Sequence, residues 1–405
     1  MKYFLLIISL LFLFSCKKNT PKTLQKGTYR AVLKIQDNQE IPFIFEVKND
    51  SLLTVLNADE IIYVNEITYY KDSVRIQMPV FEGYVIAKIE DNFLKGSFIK
   101  SSLDRIVNFE ATKNSVRFSS KNKSSKNITG NWETVFSKNS ADEKYIAKGI
   151  FNQIGNKVKG TFRTITGDYR YLEGIVDGDS LKLSTFDGAH AFLFTAKVTD
   201  STLNGNFYSG NHWKEPFTAK LNNGYELPNV NNLTFIKEGY EDFDFSFPDT
   251  RGRIVSLSDP KFQNKAVIIQ IMGTWCPNCL DESKFLVNYL KKNPTKKIEV
   301  IALAFEVAKT REIAFKRIKR LKEKVGIKYP IILAQYGNSA DKKLAQQKLP
   351  WLNHLISYPT TIFIDKKGKV RKIHTGFNGP ATIEKYKNFK EEFETFMNIL
   401  VNEKE

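Results

Sequence analysis

The pentapeptide Trp275-Cys276-Pro277-Asn278-Cys279 gives the C-terminal part of this 405-residue chain its meaning. Just before it runs Val267-Ile268-Ile269-Gln270-Ile271-Met272, apolar and β-branched, as a buried strand requires; an amphipathic helical pattern follows. A Cys-x-x-Cys placed where a buried strand hands over to a helix reads as a dithiol redox site. Pro277 suits the first helical turn, where a missing N–H costs nothing. The free N–H groups and dipole of that turn favour a thiolate on Cys276. Cys279 lies three residues on, on the same helical face, and can close onto a mixed disulfide formed at Cys276. The chain has only three cysteines, Cys16, Cys276 and Cys279, and four histidines, His190, His212, His354 and His374. None of the histidines is near the pair in sequence, so the four ligands of a structural zinc are not in view.

Cys16 bears on location. Residues 1–14 carry one early lysine and then an unbroken apolar run, too short to span a bilayer, which reads as a signal peptide. It ends in Leu13-Phe14-Ser15-Cys16, which resembles a bacterial lipobox. The resemblance implies a signal peptide over 1–15, cleavage before Cys16, lipidation there, and a tether over 16–26. The expected place is the bacterial cell envelope, anchored to a membrane and facing the periplasm. The net charge of +17 comes from lysines spread along the chain among acids. That describes a solvated surface, and no nucleic-acid motif accompanies it.

From residue 27 to about 222 the pattern is almost wholly β, punctuated by Asp, Asn and Gly. It occurs twice. Gly27-Thr28-Tyr29 returns as Gly130-Asn131-Trp132, Asp72-Ser73-Val74-Arg75-Ile76 as Asp179-Ser180-Leu181-Lys182-Leu183, and Leu94-Lys95-Gly96-Ser97-Phe98 as Leu203-Asn204-Gly205-Asn206-Phe207. Two tandem all-β modules of about eight strands follow, at 27–113 and 130–222, with linkers at 114–129 and 223–240. The Gly-x-Trp start and meander resemble calycin-type barrels; one larger sandwich is the alternative. Aromatics such as Phe192, Phe194 and Phe207 alternate with polar residues, as a packed inner face requires. His190 and His212 read as surface residues, and the region is assigned no site.

Residues 241–405 alternate strands with helices, an α/β pattern. Strands are expected at 243–247, 254–257, 266–272, 299–305, 329–333, 361–365 and 370–374, and helices at 277–291, 310–325, 339–347 and 383–401. In the second helix Lys316, Arg317, Lys319, Arg320 and Lys322 read as a solvated face. This order, with Gly273-Thr274-Trp275-Cys276, the leading Phe247-Pro248-Asp249-Thr250-Arg251-Gly252 and Tyr358-Pro359-Thr360-Thr361-Ile362-Phe363-Ile364-Asp365, is similar to the thioredoxin-like fold of TlpA/ResA-like thiol-disulfide oxidoreductases, in the AhpC/TSA-redoxin superfamily.

The resemblance implies disulfide exchange with protein thiols and disulfides, without cofactor or metal and with an unidentified redox partner. It assigns Cys276 as attacking thiolate, Cys279 as resolving thiol, and the two as the redox disulfide. It makes Pro359 a cis proline beside the dithiol, with Trp275, Tyr358, Pro359 and Thr360 at the substrate. Thioredoxin's buried Asp is replaced here by Gln270. Glu282 matches a glutamate of the ResA-like group, and Lys284 stands where that group has proline. A solvent-facing Glu282 is the alternative, and Asp281 reads as solvated. Other readings are a thiol peroxidase of the same superfamily, or a β-repeat binding module with an accessory redox domain.

Overall fold

The computed structural model describes residues 21–229, 231, 233–240, 243–294 and 297–403, so the expected signal peptide and Cys16 lie outside it. Residues 27–113 form a nine-stranded antiparallel meander whose first strand, Gly27–Lys34, pairs with both Glu40–Asn49 and the last strand, Arg105–Lys113. The edge strands, Glu60–Val64 and Glu66–Tyr70, are consecutive in sequence yet not hydrogen-bonded to each other. The chain breaks between them at Asn65 and leaves a seam in the barrel. Residues 130–221 close theirs. Tyr145–Ile154 pairs with both Gly130–Phe136 and Lys157–Thr164, and Gly130–Phe136 also pairs with Trp213–Leu221. Closure removes the exposed edges.

Strand formation follows the alternation. In Tyr84–Glu90, Val85, Ala87 and Ile89 are buried while Ile86, Lys88 and Glu90 face out. The second barrel is filled by aromatic rings: Phe194 stacks on Phe207 at 4.6 Å and lies 4.8 Å from Phe162. The two barrels are fused rather than strung. Phe186 of the second stacks on Phe43 of the first at 4.1 Å. The connecting segment 114–129 is pinned by Arg117, whose guanidinium reaches the Pro42 carbonyl, the Ser184 hydroxyl at 3.1 Å, the Leu56 carbonyl and Glu173.

In the C-terminal domain we label β1 Ala266–Met272, α1 Pro277–Lys292, β2 Ile298–Val307, α2 Arg311–Val325, β3 Ile331–Gly337, α3 Lys342–Lys348, β4 Thr360–Ile364, β5 Val370–Thr375 and α4 Glu384–Asn402. The sheet order is β3-β2-β1-β4-β5, with β1 parallel to β2 and antiparallel to β4. Strand β1 is buried throughout, which explains its unbroken apolar run. Helix α3 starts later than its sequence suggests, because Asp341 caps it by accepting the Lys343 N–H at 2.8 Å. The segment 223–240 is stitched to the loop before β4: Lys237 N–H reaches the Trp351 carbonyl at 2.8 Å, and Asn353 N–H the Phe235 carbonyl at 2.9 Å.

Charges read as solvated turn out to hold the barrels to this domain. On α2, Lys316 and Lys319 are exposed, but Arg320 grips Glu66 of the first barrel with both nitrogens at 2.8 and 2.9 Å, and Arg317 pairs with Glu82. Burial would raise Glu66, yet hydrogen bonds from Arg320 and Lys324 hold its carboxyl below the usual range. Asp281 on α1 is not solvated either. It pairs with Arg170 of the second barrel, a side chain 4% exposed that also pairs with Glu60 of the first barrel and with Asp187 at 3.1 Å. One guanidinium thus joins all three units.

Candidate active site

Helix α1 begins at the dithiol, and its N-cap is Cys276 itself. The Cys279 N–H donates to Cys276 Sγ at 3.2 Å, so the sulfur takes the place of a capping oxygen at the positive end of the helix. On its other side Cys276 Sγ lies 3.5 Å from the Tyr358 carbonyl oxygen, which precedes the cis Tyr358–Pro359 bond. Both cysteines are free thiols. Cys276 is 7% exposed and Cys279 is fully buried. Burial, then the hydrogen bond and charge of Cys276, push the Cys279 thiol well above its ordinary pKa.

The approach to the pair is fixed from β2. Buried Glu306 accepts the Thr274 N–H at 2.8 Å and its hydroxyl at 2.5 Å, and the Trp275 indole donates to the Phe305 carbonyl at 2.9 Å. Gly273 is required there, because a Cβ would fall 2.2 Å from the Trp275 indole nitrogen. Nothing in the local sequence marked Glu306.

Glu282 is buried at 2% exposure, not solvent-facing. Its carboxylate accepts from Gln270 Nε2 at 2.8 Å and from the Thr361 hydroxyl at 2.5 Å, and Gln270 Nε2 also lies 3.4 Å from the Cys279 carbonyl oxygen. Burial raises its pKa to about 7, against the pull of those two hydrogen bonds. Gln270, in the place of a carboxylate, holds Glu282 next to the resolving cysteine. Lys284 in the following turn is exposed and leaves this arrangement intact.

Trp275 and Tyr358 sit edge to face at 5.4 Å and line a cavity of about 960 Å³ above Cys276. Pro359 is buried behind them, its carbonyl accepting the Gly376 N–H at 2.9 Å. Thr360 departs from expectation. It is fully buried, its hydroxyl bonded to the Ser357 carbonyl at 2.8 Å, so it stiffens the loop and does not reach the cavity. His354 is exposed and lies off the cavity lining.

The far wall of the cavity belongs to the β barrels, where the sequence assigned no site. The second barrel supplies Thr166, Gly167, Asp168 and Tyr169, and the first Lys100 and Arg105. His190, read as a surface residue, lines the wall too, stacked on Phe192 at 4.4 Å and 3.3 Å from Asp187. The wall meets α1 at Asn278, whose side-chain amide donates to the Asp168 and Phe377 carbonyls, each at 3.3 Å. Gly167, with φ +145°, allows this contact, since a Cβ would fall 2.0 Å from that amide nitrogen. Asn278, between the cysteines, is therefore a docking contact between domains.

This arrangement can support thiolate attack at Cys276, resolution by Cys279, and proton acceptance by Glu282. A carboxyl raised from 4.5 to about 7 contributes stability in its protonated state, fully present below about pH 4.5 and lost as pH rises through 7. Glu282→Gln should remove roughly 2–3 kcal/mol of the stability difference between pH 5 and pH 8, measured by urea denaturation at both values. It should also abolish the rise near pH 7 in the rate at which Cys279 resolves a mixed disulfide. Mutant and wild type with the same pH dependence in both measurements would contradict this role.

Comparison with known proteins agrees with the geometry. Residues 239–373 match the model of the AhpC/TSA family. The thioredoxin-like protein YneN of Bacillus subtilis is 30% identical over 141 residues, 35% of this chain and 73% of that protein. The thiol-disulfide oxidoreductase ResA of the same organism is 27% identical over 160 residues, 40% of this chain and 79% of that protein. Among solved structures, the thioredoxin domain of a thiol-disulfide oxidoreductase from Bacteroides vulgatus is 19% identical and covers 39% of this chain and 99% of that chain, with a TM-score of 0.28. The β barrels lie outside the family match, and it is through residues 239–373 that this chain belongs to the AhpC/TSA family, as a TlpA/ResA-like redoxin.

Proposed function

We propose that the chain is a thiol-disulfide oxidoreductase acting on protein disulfides, anchored to a membrane of the bacterial cell envelope by lipid on Cys16 and facing the periplasm. The observation that carries the activity is the asymmetry of the pair. Cys276 faces a cavity and caps a helix N-terminus, while Cys279 is sealed beneath it beside a carboxyl with a pKa of about 7. Cys276 thiolate attacks one sulfur of the substrate disulfide, whose S–S bond breaks, and the departing sulfur takes a proton. Cys279 gives its proton to Glu282 and attacks Cys276 Sγ, expelling the second substrate sulfur as a thiol once it is protonated. The substrate gains two electrons and two protons, and the pair becomes the Cys276–Cys279 disulfide. The same steps run backward when the pair oxidises a substrate.

The apolar run at residues 4–14 followed by Cys16 supports the anchor. Two experiments test the proposal. Cys279→Ser should accumulate mixed disulfides with partner proteins on non-reducing gels, and Cys276→Ser should leave only background; equal trapping by both would reverse the assignment. Cys16→Ala should shift the protein from the membrane to the soluble fraction, or leave the precursor unprocessed. Retention of a processed protein on the membrane would disprove the anchor.

A further inference from the structure

The cavity above Cys276 carries four cations, Lys100 and Arg105 from the first barrel, Lys144 from the second and Lys342 from α3. Elsewhere the cations at the domain seams have carboxylate partners: Arg170 has three, and Arg317 and Arg320 one each. Among the described residues none of the four cavity cations has one. Lys100 Nζ bonds only a carbonyl, that of Ala189, at 2.9 Å.

The acids that could neutralise them are committed to other groups. Glu82 is held by the Ser102 hydroxyl and Arg317. Asp187 pairs with Arg170 and His190. Asp168, the one carboxyl lining the cavity among the described residues, accepts the backbone N–H groups of Gly379 and Arg170. The positive charge is felt locally. Burial and then Arg105 lower Lys100 to about 8, against a smaller upward pull from Glu82 and Asp187, and burial, Arg105 and Lys100 lower the adjoining His212 to about 4. Lys100 and Arg105 are half-buried and Lys144 and Lys342 exposed, so all four ammonium and guanidinium groups stand where a carboxylate in the cavity can reach them.

The rest of the lining is apolar and aromatic, with Tyr145, Tyr169, Phe192, Trp275 and Tyr358 around the opening to Cys276. At about 960 Å³ the space is at the upper end for small-molecule sites and has room for several residues of peptide. Resting on the thiol-exchange reading above, we propose that this cavity recognises a peptide segment whose disulfide is flanked by carboxylate side chains. The disulfide meets Cys276, and the carboxylates meet Lys100 and Arg105. The β barrels would then select the substrate that the thioredoxin-like domain reduces.

The test is single-turnover reduction by the full chain of two disulfide-linked peptides of equal length, one with glutamates beside the cysteine and one with lysines. Neutral hydroxyethyl disulfide and the small dicarboxylate 3,3′-dithiodipropionate run alongside. The glutamate peptide should react roughly ten- to a hundredfold faster than the lysine peptide, with the advantage shrinking as salt is raised. In the double variant Lys100→Gln, Arg105→Gln that ratio should fall about tenfold. Because the ratio is taken within each protein, partial loss of folded protein cancels. Equal rates for the two peptides, or an unchanged ratio in the variant, would overturn the proposal. An advantage of dithiodipropionate over hydroxyethyl disulfide as large as the peptide effect would replace the peptide with a small acid as occupant. Inertness toward every disulfide would overturn the exchange reading itself.

Discussion

Arg170 is the constraint on which the arrangement of this molecule depends. Its guanidinium is almost completely buried and meets Glu60 of the first barrel, Asp187 of the second and Asp281 on the helix that starts at the dithiol. Buried ion pairs gain little net stability over an apolar core, but deleting one partner strands the others and costs about 3–5 kcal/mol. Such a cluster is better at enforcing one geometry than at adding stability. Here the geometry brings Gly167 and Asp168 against Asn278, and with them a wall over Cys276. The redox domain is, in this chain, one side of a cleft.

Behind that wall the two sulfurs are made unequal by position. Cys276 is stabilised by an N–H and a helix dipole and opens to the cavity, whereas Cys279 is deprived of water and pushed toward its neutral form. The nucleophile and the resolving thiol of the proposed mechanism need opposite environments, and three residues of helix supply both. The remaining problem is the proton of the buried thiol. In the proposed mechanism Glu282 takes it, since burial lifts its pKa to about 7, and Gln270 places the carboxyl by bonding both it and the backbone of Cys279. An ionisable group at position 270 would have competed for the same proton.

The thioredoxin-like part was legible because its signals are local. A strand, a Cys-x-x-Cys and a helix are contiguous, and the strand's burial is written in its own composition. The tandem barrels were legible because the repeat preserves order and turn residues. What escaped was every contact between units. Arg170 and Asp281 are 111 residues apart, Arg320 and Glu66 254, and each looks like a surface charge in its own segment. A charge on an amphipathic helix faces outward from its own domain, and the sequence does not say whether another domain stands there. Thr360 misled for the opposite reason. A motif implied proximity to substrate, but its hydroxyl is used internally by Ser357.

The central claim is that the β barrels cover Cys276 and that Arg170 holds them there. The most direct measurement is the alkylation rate of Cys276, in a Cys279→Ser background, with a small maleimide and with one carrying a bulky polymer, with and without Arg170→Ala. The account predicts that the bulky reagent lags far behind the small one in the parent protein and that the lag largely disappears when Arg170 is removed. Equal rates for the two reagents in the parent, or a lag that survives Arg170→Ala undiminished, would contradict it.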